Sequence, residues 1–346
     1  MDITDAFNDL QKVADADKDQ VKEARRRRDL FAAALESADD VVEVIPSGSL
    51  ARSTQREPIN DVDVVAVYNA AQHVGWGDPG HSAAETLDYA RRQIVSLLGT
   101  DGTYAEGEVR LAKPGNHAIK CWLDDPDAEG AFTVDVMPAL RQPGGELLVP
   151  EKANSMWVKT NPEFLIGEVE DRQQRWDQFR PLVRTLKFWN DTKGISSKEG
   201  GMKSLTIEVL ALKHLPAEES RPRALQRFFQ AAVTAIDGPI DDPAGLSGEI
   251  QSNLDRDGAR TLLDDAASNA WHAVNAQDAG ETDKAACLWR EVFGADFREP
   301  DAGCPGDGGS AGGAGFNVGV GAGAGAGEVG VDRPRPVTDT PQGQSD

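Results

Sequence analysis

Residues 48–65 read GSLARSTQREPINDVDVV, a Gly-Ser pair followed by a polar segment and a β-branched run. The segment Asp61–Tyr68 (DVDVVAVY) is strongly β-branched and predicts a strand. The shorter run VVEVI at 41–45 predicts another strand just before the quoted stretch. Between them, a Gly-Ser turn is expected to open a short helix over residues 49–54, and the remaining chain is long enough to return to a neighbouring strand.

Three aspartates stand on apolar strands of this predicted sheet. Asp61 and Asp63 are two residues apart in one strand, so their side chains project from the same face. Asp135 lies in a later predicted strand, AFTVDVM at 131–137, which Pro138 is expected to end. Carboxylates brought together away from water are very costly unless a cation compensates them.

The Gly48-Ser49 turn decides between two interpretations of the aspartate pair. A lone Asp-x-Asp would favour an edge strand with solvated side chains. A small Gly-Ser turn, however, lets backbone N–H groups and a hydroxyl approach a phosphate. Because Mg²⁺ prefers oxygen ligands and bridges carboxylates to substrate phosphates, the combination indicates Mg²⁺–nucleotide chemistry.

The whole pattern resembles the G-S-x4-T…D-x-D signature of the DNA polymerase β-like nucleotidyltransferases. More narrowly, it is similar to the bacterial CD-NTases, relatives of cyclic GMP-AMP synthase and oligoadenylate synthase. The resemblance implies that three residues of the first motif, Gly48, Ser49 and Thr54, bind the nucleotide. It also implies that the carboxylates are catalytic and hold two Mg²⁺ ions, which Mn²⁺ could replace; these are Asp61, Asp63 and Asp135.

The second half of the chain extends the resemblance. The block WVKTNPEFL…RPLVRTLKFWN…MKSLTIEVLAL is similar to the helical half of the same family. Lys187 and Ser204 fall where that family has a lysine and a serine that touch the donor triphosphate. The motifs cover roughly residues 40–215, and a looser similarity reaches about residue 297.

The order of the predicted elements favours an α+β fold, with strands and helices first and mainly helices from about residue 161. The resemblance makes this a bilobed polymerase β-like nucleotidyltransferase with a mixed-sheet catalytic lobe, a long N-terminal helix over 3–38 and an α-helical second lobe. The expected domains are 1–155, 156–298 and a disordered Gly-rich tail at 299–346, which lacks the bulky apolar side chains needed to offset ordering entropy. Further predicted helices are 82–98, 162–190, 204–215, 223–236 and 258–293, and further predicted strands are 108–112 and 117–123.

Composition excludes several classes of protein. With 36 basic and 58 acidic residues, the net charge of −22 disfavours nucleic-acid binding over the whole surface and docking on an anionic membrane. No apolar run approaches the ~18 residues of a membrane span, and the N-terminus lacks a signal-peptide pattern, so a cytoplasmic protein is expected. The three cysteines lack CxxC spacing; Cys287 is interpreted as a core thiol and Cys304 as an exposed, reduced tail residue.

The resemblance implies an enzyme that joins NTPs, with ATP and GTP among the candidates, into a cyclic di- or trinucleotide or a short oligonucleotide. In that family the product is a second messenger that switches on a separate effector in CBASS antiphage defence. One alternative is a nucleotidyltransferase that modifies a tRNA or other RNA end, or a protein hydroxyl; the acidic charge and the lack of an aromatic-plus-basic stretch disfavour RNA. Another alternative is a non-catalytic nucleotide-binding relative. It is disfavoured because a degenerate site would be expected to lose a carboxylate, and all three aspartates are present. The tail end, DTPQGQSD, is a candidate site for a partner or a modifying enzyme.

Overall fold

The computed structural model describes residues 2–103, 109–194 and 199–304, and within them the predicted α+β fold is confirmed. A mixed sheet occupies the first half, and helices make up the second half. The predicted Gly-rich tail lies outside the described residues beyond 304. None of the described helices is long and apolar enough to cross a membrane.

The sheet contains seven strands within the described residues. They are β1 (Val41–Ser47), β2 (Asp61–Tyr68), β3 (Leu111–Pro114), β4 (Ile119–Trp122), β5 (Thr133–Arg141), β6 (Leu147–Glu151) and β7 (Met156–Thr160). The helices are α1 (Ile3–Ala14), α2 (Lys18–Glu36), α3 (Gly48–Arg52), α4 (Ser82–Leu98), α5 (Pro162–Arg175), α6 (Phe179–Thr192), α7 (Ser204–His214), α8 (Arg221–Ala235), α9 (Arg256–Asp278) and α10 (Thr282–Phe293).

The sheet order is β1-β2-β5-β4-β3, with β6 added to the end of β5 and β7 paired to β6. β2 and β5 run parallel, and the other pairs are antiparallel. The β6–β7 hairpin was not predicted from the sequence. Because β2 and β5 are adjacent and in register, Asp63 stands directly beside Asp135.

β5 does not end at Pro138, and the prediction that it would was wrong. The ladder between β5 and β4 stops at Val136, and the ladder between β5 and β6 begins only at Leu140. Pro138 therefore sits where one side of β5 has no neighbouring strand, and a residue without an N–H is tolerated at such a gap.

The predicted N-terminal helical segment consists of two helices, of which α2 is the long one with 19 residues. The chain breaks at Asp15–Asp17, where the Asp17 carboxylate accepts the N–H groups of Asp19 and Gln20 and so caps α2. The predicted helices 162–190 and 258–293 are likewise each interrupted once, giving α5 with α6 and α9 with α10.

Two large hydrophobic cores hold the described residues together. One lies between the sheet and the helices α2 and α4. The other is built by α1 and the helices from α5 onward, and Phe7 of α1 packs edge-on against Trp289 at 5.1 Å between ring centroids. The active-site residues described below come from both halves of the chain.

Cys287 and Cys304 form a disulfide, so the expectation that both are reduced was wrong. Cys287 is only half-buried on α10, and a turn in which Gly303 donates its N–H to the carbonyl of Pro300 brings Cys304 back to it. The two Cα atoms are 5.5 Å apart, within the range that a disulfide spans. Cys121 is buried and remains a free thiol.

Candidate active site

Gly48 of the Gly-Ser motif lies next to Asp63 of the Asp-x-Asp motif. Ser47, at the end of β1, is the register partner of Asp63 on β2, and α3 begins at the next residue. Gly48 has φ +70°, and a β-carbon there would lie 1.8 Å from Oδ2 of Asp63. Only glycine fits this position, because both the backbone conformation and the space exclude a side chain.

The three aspartates lie on one face of the sheet, on the adjacent strands β2 and β5. Burial, together with the charges of Asp61 and Asp135, raises the pKa of Asp63 to about 6. Burial also raises the pKa of Asp135, although Lys120, with Nζ 3.8 Å from Oδ1, acts in the opposite direction. Holding these carboxylates ionised is therefore costly in the protein alone.

The residues present fit a divalent cation. Oδ1 of Asp135 is buried without a hydrogen-bond partner. The three aspartates offer only carboxylate oxygens, which are the hard ligands that Mg²⁺ prefers. Among the described residues, no three acidic, histidine or cysteine side chains converge into a preformed metal cage. Mg²⁺ is commonly held by one or two carboxylates and completed by substrate phosphates and water.

A cavity of about 630 Å³ opens over this face, and seven of the eight predicted site residues line it. Asp135 is the exception, since it lies beside the cavity on β5. Further lining comes from the start of α5 and from the loop that contains Asp242 and Ser247. The lining residues among those predicted are Gly48, Ser49, Thr54, Asp61, Asp63, Lys187 and Ser204.

A buried polar network forms the floor of the cavity. Lys187 on α6 is 4% exposed, and its Nζ lies 2.7 Å from Oε2 of Glu208 on α7. The same Nζ donates to the carbonyl and hydroxyl oxygens of Thr54, at 3.0 and 3.2 Å. Arg52 on α3 donates to the other carboxylate oxygen of Glu208. The network thus ties the turn after α3 to both helices of the second half.

The electrostatics of the network favour the charged form of Glu208 and disfavour that of Lys187. Burial alone would raise the pKa of Glu208, but the charges of Lys187 and Arg52 outweigh it and lower the pKa to about 2. Burial lowers the pKa of Lys187, and the attraction of Glu208 opposes that shift. Arg52 faces two carboxylates, since its charge lowers the pKa of Asp63 as well as that of Glu208.

Arg52 and Glu208 are site residues that the sequence analysis missed. Glu208 is the one charged residue in the stretch SLTIEVLAL (204–212), and that contrast is the available signal. Thr54 and Lys187 lie at the cavity floor, and their roles as nucleotide ligands stay predictions. Ser204 begins α7 at the cavity, where the N-cap position is taken by Lys203.

Comparisons with known proteins show the family of the chain. The Second Messenger Oligonucleotide or Dinucleotide Synthetase (SMODS) domain family matches residues 1–173, half of the chain. A probable cyclic nucleotide synthase of Bacillus cereus (strain VD146) is 22% identical over 326 residues, covering 84% of this chain and 96% of the relative. A cyclic AMP-AMP-AMP synthase of an Acinetobacter strain is 25% identical over 269 residues, covering 72% and 71%.

The solved structure of Escherichia coli MS115-1 CdnC with ATP has the same fold as this chain. The TM-score is 0.64 at 19% identity, and the match covers 84% of this chain and 98% of CdnC. This likeness confirms the predicted bilobed nucleotidyltransferase fold class. The chain belongs to the SMODS family, and so to the CD-NTase group of nucleotidyltransferases that make cyclic oligonucleotides.

Proposed function

We propose that this protein is a Mg²⁺-dependent enzyme that joins NTPs into a cyclic di- or trinucleotide second messenger. One observation carries the proposal: the Gly48-Ser49 turn lies so close to Asp63 that only glycine fits at position 48, and Asp135 stands on the next strand. This arrangement supports a phosphate-binding turn beside a cluster of carboxylates, and a cation would stabilise the ionised form of that cluster.

Each residue has a separate task in the proposed reaction. The backbone N–H groups and hydroxyl of the Gly48-Ser49 turn hold the donor phosphates, and Lys187 and Arg52 lie on the floor of the same cavity. Asp61, Asp63 and Asp135 would hold two Mg²⁺ ions, which supply charge neutralisation for the triphosphate and acidify the attacking ribose hydroxyl. Asp135 receives the proton of that hydroxyl, and catalysis otherwise rests on positioning and electrostatics.

Adenylate is the first candidate for the transferred nucleotide. Support comes from two curated relatives that are named cyclic AMP-AMP-AMP synthases, at 25% and 24% identity. By family resemblance, the product would activate a separate effector protein in CBASS antiphage defence. The sequence DTPQGQSD at the end of the tail is proposed as a site for a partner or a modifying enzyme.

The test is incubation of the purified chain with all four NTPs and Mg²⁺, then Mn²⁺, with pyrophosphate release and product mass measured. A cyclic product without added RNA or protein is expected. Asp61→Asn/Asp63→Asn should abolish both signals, whereas Asp264→Asn/Asp265→Asn, which removes two exposed charges from α9, should retain them. Turnover at the wild-type rate in the first variant, or transfer only when RNA or protein is added, would refute the proposal.

A further inference from the structure

The turn that follows α3 carries a serine in the left-handed backbone region. Ser53 ends α3 with φ +58° and ψ +34°, a conformation that is unfavourable for a residue with a β-carbon and needs support from its surroundings. The next residue, Thr54, donates its N–H to the carbonyl of Ser49 at 3.0 Å. The conformation of Ser53 therefore sets how Thr54 lies against the Gly48-Ser49 turn.

Arg184 on α6 supplies a support for this conformation. Its Nη1 donates to the carbonyl oxygen of Ser53 at 2.9 Å, and its side chain is only 17% exposed, so water competes little for the bond. Thr54 lines the active-site cavity, whereas neither Ser53 nor Arg184 does. Arg184 can therefore influence a nucleotide in the cavity through the turn, not by direct contact.

Two cations of α6 hold two consecutive carbonyl groups of the turn. Arg184 and Lys187 are three residues apart and so lie on one side of the helix. Lys187 Nζ donates to the carbonyl of Thr54 at 3.0 Å, next to the Ser53 carbonyl that Arg184 holds. Hydrogen bonds from a charged donor are about twice as strong as neutral ones. Together they fix the peptide groups on both sides of Thr54.

Asp15 orients the guanidinium of Arg184. Nε of Arg184 donates to Oδ1 of Asp15 at 2.6 Å, at the break between α1 and α2. Because the guanidinium is planar, fixing Nε also fixes the direction in which Nη1 points. Since α1 packs in the helical core and α2 against the sheet, Asp15 lies where the chain passes from one core to the other. Arg184 thus links that junction to the active-site turn.

We propose that Arg184, oriented by Asp15, is a positioning residue that holds the Ser53-Thr54 turn in the conformation that binds the donor phosphates. This inference rests on the proposed nucleotidyl transfer. The competing explanation is an ion pair that only stabilises the packing of α6 against α1. Loss of stability would reduce the number of folded molecules and lower kcat without changing KM. A displaced turn would raise the KM for NTPs, because the bound phosphates lose well-placed partners.

Arg184→Gln separates the two explanations. It should raise the KM for the NTP substrate in pyrophosphate release about tenfold, the effect expected for one hydrogen bond from a charged group. Arg184→Lys should recover part of the loss, since it retains the charge and a donor for Ser53. Arg180→Gln is the matched control one turn earlier on α6: it removes a similar ion pair with Glu170 and should leave KM unchanged. An unchanged KM in Arg184→Gln, or an equal rise in both variants, would overturn the proposal.

Substitutions at Asp15 test how the guanidinium is oriented. Asp15→Ala should raise KM in the same direction, but by less than Arg184→Gln does. Asp15→Asn should stay closer to the wild type, because its Oδ1 can still accept the bond from Nε. In the Arg184→Gln background, Asp15→Ala should add nothing to KM, since Asp15 acts only through Arg184. Full additivity of the two substitutions would refute the role assigned to Asp15.

Hydrogen exchange makes the inference independent of turnover. Without nucleotide, Arg184→Gln should speed amide exchange in a peptide covering residues 48–56, in which the N–H of Thr54 is bonded to Ser49. Arg180→Gln should leave that exchange unchanged. If the wild type releases no pyrophosphate from any NTP mixture, the proposed function fails, and the exchange still decides whether Arg184 holds the turn. Exchange in Arg184→Gln equal to that of the wild type would refute the inference.

Discussion

The α-carbon of Gly48 lies against the carboxylate of Asp63, so closely that a β-carbon would fall 1.8 Å from Oδ2 and 2.7 Å from Cγ. Gly48 begins α3, and Asp63 stands on β2, so this contact fixes the spacing between the turn and the carboxylate cluster. The two motifs, well separated in the chain, therefore act as one rigid unit.

Gly48→Ala tests that unit. Alanine would have to adopt φ +70° and would push the Asp63 carboxylate away, which displaces a reacting group by about an ångström or more. Since a 1 Å misplacement costs on the order of 100-fold in rate, pyrophosphate release should fall by about that factor. Gly280→Ala is the matched control, because Gly280 has φ +80° and no atom within 4 Å of the added carbon. Equal activity of the two variants would contradict the steric argument.

Asp63→Asn should stabilise the protein when a chelator removes divalent cations. The pKa of Asp63 is raised to about 6, mainly by burial, so its ionised form is disfavoured in the folded state at pH 8. A shift from 3.8 to about 6 corresponds to at most about 3 kcal/mol, which is removed with the charge. Urea unfolding in EDTA measures the gain.

Asp264→Asn is the control for that measurement, since it removes an exposed carboxylate from α9. It should change the free energy of unfolding by less than about 0.5 kcal/mol. Added Mg²⁺ should raise the melting temperature of the wild type more than that of Asp63→Asn. A destabilised Asp63→Asn protein in EDTA would argue against the electrostatic cost assigned to this cluster.

Elements with a strong local pattern could be predicted to the residue. The β-branched run gives β2 its observed bounds, Asp61–Tyr68, and the apolar periodicity gives α4 its bounds, Ser82–Leu98. Interruptions were missed where the pattern continues on both sides, as at Asp15–Asp17, since only a capping hydrogen bond marks the break there. Pro138 was misjudged because the gap beside β5 is a property of the sheet order, not of the local sequence.

The candidate site likewise contains residues that local sequence predicts and residues that it does not. The aspartates follow from strand alternation and the family motif, both of which are local in sequence. The partnership of Arg52 with Glu208 joins residues 156 positions apart, and no spacing rule reaches that far. The disulfide was missed because it depends on the turn at Pro300–Gly303, which returns Cys304 to α10.

Cys304→Ser should destabilise the oxidised protein. The disulfide joins residues 17 apart, and closing a loop of that size contributes about 3 kcal/mol in the chain-entropy account. Urea unfolding should show this loss without reductant, and the two proteins should agree in dithiothreitol. Alkylation under native conditions should leave the wild-type thiols unmodified, because Cys121 is buried and the other two are paired. Two reactive thiols without reductant would contradict the disulfide.

Glu208→Gln should destabilise the protein strongly, because it leaves Lys187 buried without its carboxylate. Removing one partner of a buried ion pair costs about 3–5 kcal/mol, and the Glu208 side chain is fully buried. Glu281→Gln is the matched control: its pair with Lys284 is about half exposed on both sides and should contribute less than about 1 kcal/mol. Urea unfolding at pH 7 compares them.

The pH dependence of the free energy of unfolding at acid pH tests the same ion pair. The pKa of Glu208 falls from 4.5 to about 2 on folding, so its stabilising contribution is complete above pH 4.5 and is lost as the pH falls toward 2. Glu208→Gln should therefore have a flatter decline in stability across this window than the wild type. Adding Lys187→Met should recover part of the loss at pH 7, since it removes one of the two charges, Lys187 and Arg52, that Glu208→Gln leaves without their carboxylate. An unchanged acid slope in Glu208→Gln would show that the network is not held by this carboxylate.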